Sequence, residues 1–127
     1  MDKLFLTITT VADGKTSEIS REAEGILSHG LVQINYCEEN AEVSLRLENG
    51  TVFIDRQGDY TLSLKLRKNE RTQGELGING SVGEVETHTT RIAYSLTDTS
   101  FMLSLHYSLR VGVETQDMRI RVFAKKY

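Results

Sequence analysis

The chain has 127 residues, 39% of them apolar and 26% charged, with 18 acidic and 15 basic side chains and a formal net charge of −3. A chain of that length suits one domain burying about two-thirds of its unfolded surface, and the acidic balance argues against a dedicated nucleic-acid partner. The lone Cys37 cannot form an internal disulfide, the start of the chain reads as a strand rather than a leader, and no run approaches the roughly 18 apolar residues of a membrane helix; a cytoplasmic protein with no membrane partner is expected.

Taken in chain order, every-other-residue hydrophobicity dominates. Strands are expected over 3–11, 16–25, 31–37, 41–48, 51–57, 59–67, 72–78, 81–96, 101–111 and 116–125. In the fourth, Val43, Leu45 and Leu47 alternate with Ser44, Arg46 and Glu48. The ninth carries Phe101, Leu103, Leu105, Tyr107, Leu109 and Val111 on one face, with Met102, Ser104, His106, Ser108 and Arg110 on the other. Successive strand side chains point to opposite faces, so each run has a buried side and a wetter side. Ile19, Ala23, Ile26 and Leu27 also fit a helical stripe, and the second segment is read as a strand from its neighbours. The eighth is long for one strand and is expected to bend, with a bulge at Gly83.

Turn chemistry separates the runs. Asn49-Gly50 and Asn79-Gly80 tolerate the positive φ of a tight type I′ hairpin turn. Asp13-Gly14, His29-Gly30, Gln57-Gly58 and Lys68-Asn69-Glu70 are weaker signals of the same kind. With no proline in the chain, no strand lacks a ladder donor. Ten short strands joined by tight turns suit an all-β, antiparallel, up-and-down barrel of about 8–10 strands spanning 1–127, because closure removes exposed edges.

The order of features resembles the YwiB-like bacterial proteins, a family of unknown function grouped with the calycin (lipocalin-like) barrels. The likeness rests on Gly30-Leu31-Val32-Gln33-Ile34-Asn35-Tyr36-Cys37-Glu38, on Val52-Phe53-Ile54-Asp55-Arg56-Gln57-Gly58, on Glu84 to Thr90 and on Leu105-His106-Tyr107-Ser108-Leu109. It spans roughly residues 25–125 and implies a calycin-like barrel without an assigned activity. The chain departs from true lipocalins, whose first strand carries a Gly-x-Trp signature, because it has no tryptophan.

Candidate site residues follow from parity. Arg56 shares a face with Val52 and Ile54. A guanidinium turned inward needs a carboxylate or a ligand, whereas one at a strand end reaches water past its apolar neighbours. Tyr36, Tyr60, Tyr94 and Tyr107 fall on apolar faces and serve either to grip a ligand or to fill the core. Glu84, Glu86, His88, Thr90, Ile92 and Tyr94 share one parity. Glu-x-Glu-x-His can hold a metal or an acid–base pair, but a third ligand is not evident and a solvated face is the simpler reading. Arg119, Arg121, Phe123 and Lys125 form a basic–aromatic stripe, though one strand is not a nucleic-acid platform.

Two functions fit these residues. One is a binding protein taking a small, partly apolar or anionic ligand inside the barrel, with Arg56, Tyr36, Tyr94, Tyr107 and His88 as ligand-binding candidates. The other is a structural or protein-interaction module with a filled core, a monomer or a homodimer. No nucleophile elbow, phosphate loop or dinucleotide fingerprint occurs, so neither a catalytic residue nor a metal or cofactor is expected, and the reading leans away from an enzyme.

Overall fold

The computed structural model describes residues 1–127. Ten strands follow one another: β1 (Asp2–Ala12), β2 (Lys15–Leu27), β3 (Val32–Glu38), β4 (Ala41–Glu48), β5 (Thr51–Gly58), β6 (Tyr60–Leu66), β7 (Glu70–Ile78), β8 (Ser81–Leu96), β9 (Ser100–Val111) and β10 (Glu114–Lys126). Each bound lies within two residues of the alternation reading. The ambiguous segment is strand throughout β2. No helix is long and apolar enough to cross a membrane.

Every strand pairs antiparallel with its sequence neighbours, and β1 pairs with β10 to close a barrel. The closing ladder runs from Leu4 opposite Lys126 to Ala12 opposite Met118. Asn49-Gly50 (φ 52° and 76°) and Asn79-Gly80 (51° and 80°) make the expected turns with both central residues left-handed. Asp13-Gly14 does the same at 48° and 82°.

The inward faces meet in one apolar cluster of 19 buried residues. Leu4, Ile34, Val52, Leu66, Phe101 and Ala124 are fully buried within it. Burying side chains of this size stabilises the fold by about 1.5–3 kcal/mol each. Towards the end of the barrel bearing the β1–β2, β3–β4 and β5–β6 turns, the same faces carry half-buried Ile19, Tyr36, Leu62, Leu76 and Met118.

Two expectations about β8 are corrected. The register through Gly83, opposite Leu76, is regular, so no bulge forms there. The irregularity falls between Thr89 and Arg91, which oppose the consecutive residues Tyr107 and His106. Thr90 is therefore the extra residue, and side-chain parity inverts across it. Val85, Thr87 and Thr89 face the core, whereas beyond the bulge Ile92, Tyr94 and Leu96 oppose Leu105, Leu103 and Phe101. The single face proposed for Glu84 through Tyr94 does not exist.

Candidate functional site

The sequence candidates do not converge. Tyr36 and Arg56 meet at the turn-bearing mouth of the barrel, on inward positions that both oppose Val43. The Arg56 side chain is only 12% exposed. Its Nη1 donates to the Tyr60 carbonyl and its Nη2 to Asp59 Oδ1, each at 2.8 Å, while Nε lies 3.6 Å from Glu38 Oε2. Two carboxylates therefore answer one guanidinium, and the mouth carries a small negative excess. That balance does not attract an anion. The hydrogen bond from Arg56 holds the Asp59 carboxyl below its ordinary pKa.

Tyr107 is a core residue, 3% exposed, its phenol pushed up to about 12 by burial. Burial and the neighbouring Glu38 raise the Tyr36 phenol well above its ordinary value. Both rings therefore stay protonated at neutral pH and act as apolar bodies rather than acids. His88 faces outward opposite Arg71 and Ser108, and its neighbour Glu86 pairs with Arg71 at 3.3 Å. Tyr94 sits at the border of the sheet, 54% exposed.

Two large concavities lie outside the wall. One, of about 740 Å³, crosses β1 to β5 and is lined by Glu22, Glu24, Glu42 and Asp55 among others, with Cys37 exposed on its floor. The other, of about 580 Å³, crosses β8, β9, β10 and β1. Its shape follows from register, because directly opposed residues of neighbouring strands share a face. One outward row runs Ala93, Ser104, Arg121, Thr9, and the next runs Ser95, Met102, Phe123, Thr7. Arg91 stands one row further, beside His106 and Arg119.

The electrostatics of the second groove differ from those of the mouth. Asp117 sits 2.7 Å from His106 and 3.7 Å from Arg119, so that cation is answered. The hydrogen bond with His106 is the main cause of a lowered Asp117 pKa. Arg91 donates only to the neutral Ser104 hydroxyl, at 3.3 Å. Neither Arg91 nor Arg121 has a carboxylate within ion-pair distance. Met102 (55% exposed) and Phe123 (38%) supply an apolar floor beside them. Two free guanidiniums beside a half-exposed aromatic ring are the elements of an anion site with an apolar part.

Sequence reasoning saw the Arg121–Phe123 stripe but missed its partners Arg91 and Met102. Parity marks Met102 as a wet-face residue but groups Arg91 with Val85, Thr87 and Thr89, and only the register shift at Thr90 turns Arg91 outward beside the β9 and β10 residues. No sequence signal announces that shift.

The family described as "Domain of unknown function (DUF1934)" matches residues 6–121. The fold is similar to that in the crystal structure of the ywiB protein from Bacillus subtilis, with a TM-score of 0.86, 17% identity, and 99% of this chain and 92% of that chain covered. No curated protein matches the chain.

Proposed function

We propose that this chain, which belongs to the DUF1934 family, is a binding module for a small, anionic, partly apolar ligand, held on the outside of the barrel rather than within it. One observation carries this reading: Arg91 and Arg121, free of carboxylates, stand on the two rows to one side of Met102 and Phe123, and all four line one groove. The groove volume falls in the range of small-molecule sites, about 300–1,000 Å³. Charge-assisted bonds from the two arginines fix an anionic group, and the Phe123 ring takes a flat apolar part. The barrel interior is less suited to this ligand, because its centre is packed by the apolar cluster and Arg56 at its mouth already has two carboxylates.

The test uses anilinonaphthalene sulfonate, an aromatic anion whose fluorescence rises in apolar surroundings. Saturable binding at one site is expected, weakened about tenfold by Arg121→Ala and by Arg91→Ala. Arg46→Ala, on another part of the wall beside Phe53, serves as the control. Equal binding by all four proteins would remove the groove as the site. Native mass spectrometry of freshly purified protein then asks whether an anion of this class accompanies it.

A further inference from the structure

The barrel closes along its full circumference, but not along the full length of every strand. β7 opposes β8 only as far as Thr89, which faces Glu70. From Arg91 to Leu96, β8 pairs with β9 alone. That stretch therefore presents one border of backbone N–H and C=O groups without a neighbouring strand, a template for pairing with another chain.

β2 has a comparable free stretch, Lys15 to Glu22, where it pairs only with β1. The two are guarded differently. Lys15, Glu18, Arg21 and Glu22 stud the β2 border with charges that discourage pairing. The β8 border reads Arg91-Ile92-Ala93-Tyr94-Ser95-Leu96 and has its single charge at one end. Its inner face, Ile92, Tyr94 and Leu96, opposes core residues of β9, yet Ile92 and Leu96 are half-exposed and Tyr94 is 54% exposed because no strand lies beyond.

We propose that this border is the docking surface for a second copy of the chain, joined β8 to β8 in antiparallel fashion about a two-fold axis through Tyr94. A two-fold perpendicular to a continuous sheet requires opposed residues to share a face. Centred on Tyr94, that rule sets Ile92 against the second copy's Leu96 and Tyr94 against its own equivalent, covering the exposed inner face from both sides. The same register sets Arg91 against the second copy's Thr97, one residue short of the exposed Asp98 in the turn that follows, so that the charges of Arg91 and Asp98 are diagonal neighbours at each end of the shared ladder. Both residues are exposed, and neither has an ion-pair partner within its own chain. Lys68, whose backbone bridges to Thr89, adds a second cation near the incoming carboxylate. The two Arg91 side chains lie at opposite ends and do not repel. A six-residue border makes a small interface, so the dimer is weak and reversible, with a dissociation constant on the order of 10–100 µM.

Sedimentation equilibrium from about 1 µM to 1 mM tests this. A monomer–dimer equilibrium is expected, weakened at least tenfold by Tyr94→Lys, which places two ammonium groups at the axis. Asp98→Arg, a change in an exposed turn that leaves the ladder untouched, is expected to weaken it to a similar degree, and adding Arg91→Glu to that variant is expected to restore it. Far-UV circular dichroism confirms that each variant keeps its sheet. A wild-type chain that stays monomeric to 1 mM overturns the proposal and leaves the border to a foreign segment. A dimer indifferent to both Tyr94→Lys and Asp98→Arg overturns it as well, because its interface then lies elsewhere. The interface shares Arg91 and Tyr94 with the groove, but Asp98 does not line it, so Asp98→Arg tests the dimer without altering the ligand site.

Discussion

The Arg56 guanidinium carbon stands 3.7 Å from the centre of the Tyr60 ring, across the short connection between β5 and β6. The same guanidinium bonds the Tyr60 carbonyl and Asp59, so one side chain clamps both the ring and the backbone of that corner. Arg56→Lys keeps the charge but loses the planar fork, and a cost of about 1–2 kcal/mol is expected. Urea unfolding of wild type, Arg56→Lys, Tyr60→Leu and the double variant gives the coupling, expected at about 0.5–2 kcal/mol. Additive single-variant losses would show that the stacking contributes nothing.

Backbone crowding separates two glycines that look alike in the sequence. A Cβ on Gly25 would run into the Gln33 carbonyl oxygen of the neighbouring strand, with Leu4 Cδ1 2.9 Å away. Gly30 has nothing within 4 Å of the same position. Gly25→Ala is expected to destabilise by about 1–3 kcal/mol. Gly30→Ala is expected to stay within about 1 kcal/mol of wild type, on the stable side, through the unfolded chain. Thermal melting of the two proteins in one buffer decides it, and similar midpoints would contradict the β2–β3 spacing.

Asp117 supplies a pH dependence. Its carboxylate meets His106 at 2.7 Å and Arg119 at 3.7 Å, and its pKa is lowered. A depressed carboxyl pKa means that the contribution is present above the unfolded-state value, near 4, and is lost as pH falls through the folded value. Wild type is therefore expected to be more stable than Asp117→Asn at pH 5–6, with the gap narrowing from about pH 4 downward. The carboxylate is half-exposed, so the gap is modest. A difference independent of pH from 2 to 6 would show that the charge of the Asp117 carboxylate is not its source.

Thr90 is the unpaired residue of β8, anchored by its hydroxyl to the His106 carbonyl at 3.3 Å. Deleting it restores a regular ladder without turning any later side chain over. The deletion variant is expected to fold, to lose no more than about 1–2 kcal/mol, and to keep Ile92 and Leu96 facing the core. An alanine inserted after Thr115, in contrast, interrupts a regular stretch of the β9–β10 ladder and is expected to cost more. Chemical denaturation of both variants tests the contrast.

Much of the fold was legible because alternation and Asn-Gly turns are local. Leu62, Leu64 and Leu66 need no partner to announce a strand face, and Asn49-Gly50 needs none to announce a turn. The inward parity of Arg56 was equally readable. Its partners were not, since Glu38 reaches it from β3, across β4. The bulge escaped for a similar reason: Gly83 carries the usual mark of a backbone irregularity, whereas Thr90 is an ordinary strand residue. The error grouped Tyr94 with Glu84, Glu86 and His88, whereas it shares the inner face with Ile92 and Leu96. The outer groove needs four strands in register, and no window along the chain contains Thr9, Arg91, Ser104 and Arg121 together.

The pairing of β1 with β10 is the one ladder that joins the two ends of the chain. On the ribosome, the nine hairpins can form one after another as residues emerge, each needing only its immediate predecessor. Final closure must wait until the last thirteen-residue strand has cleared the exit tunnel. Until then β1 and β9 both remain open to self-association, and the search for this distant contact sets the pace of maturation. Nascent chains stalled before Glu114 should therefore be held by chaperones, whereas released full-length chains should not.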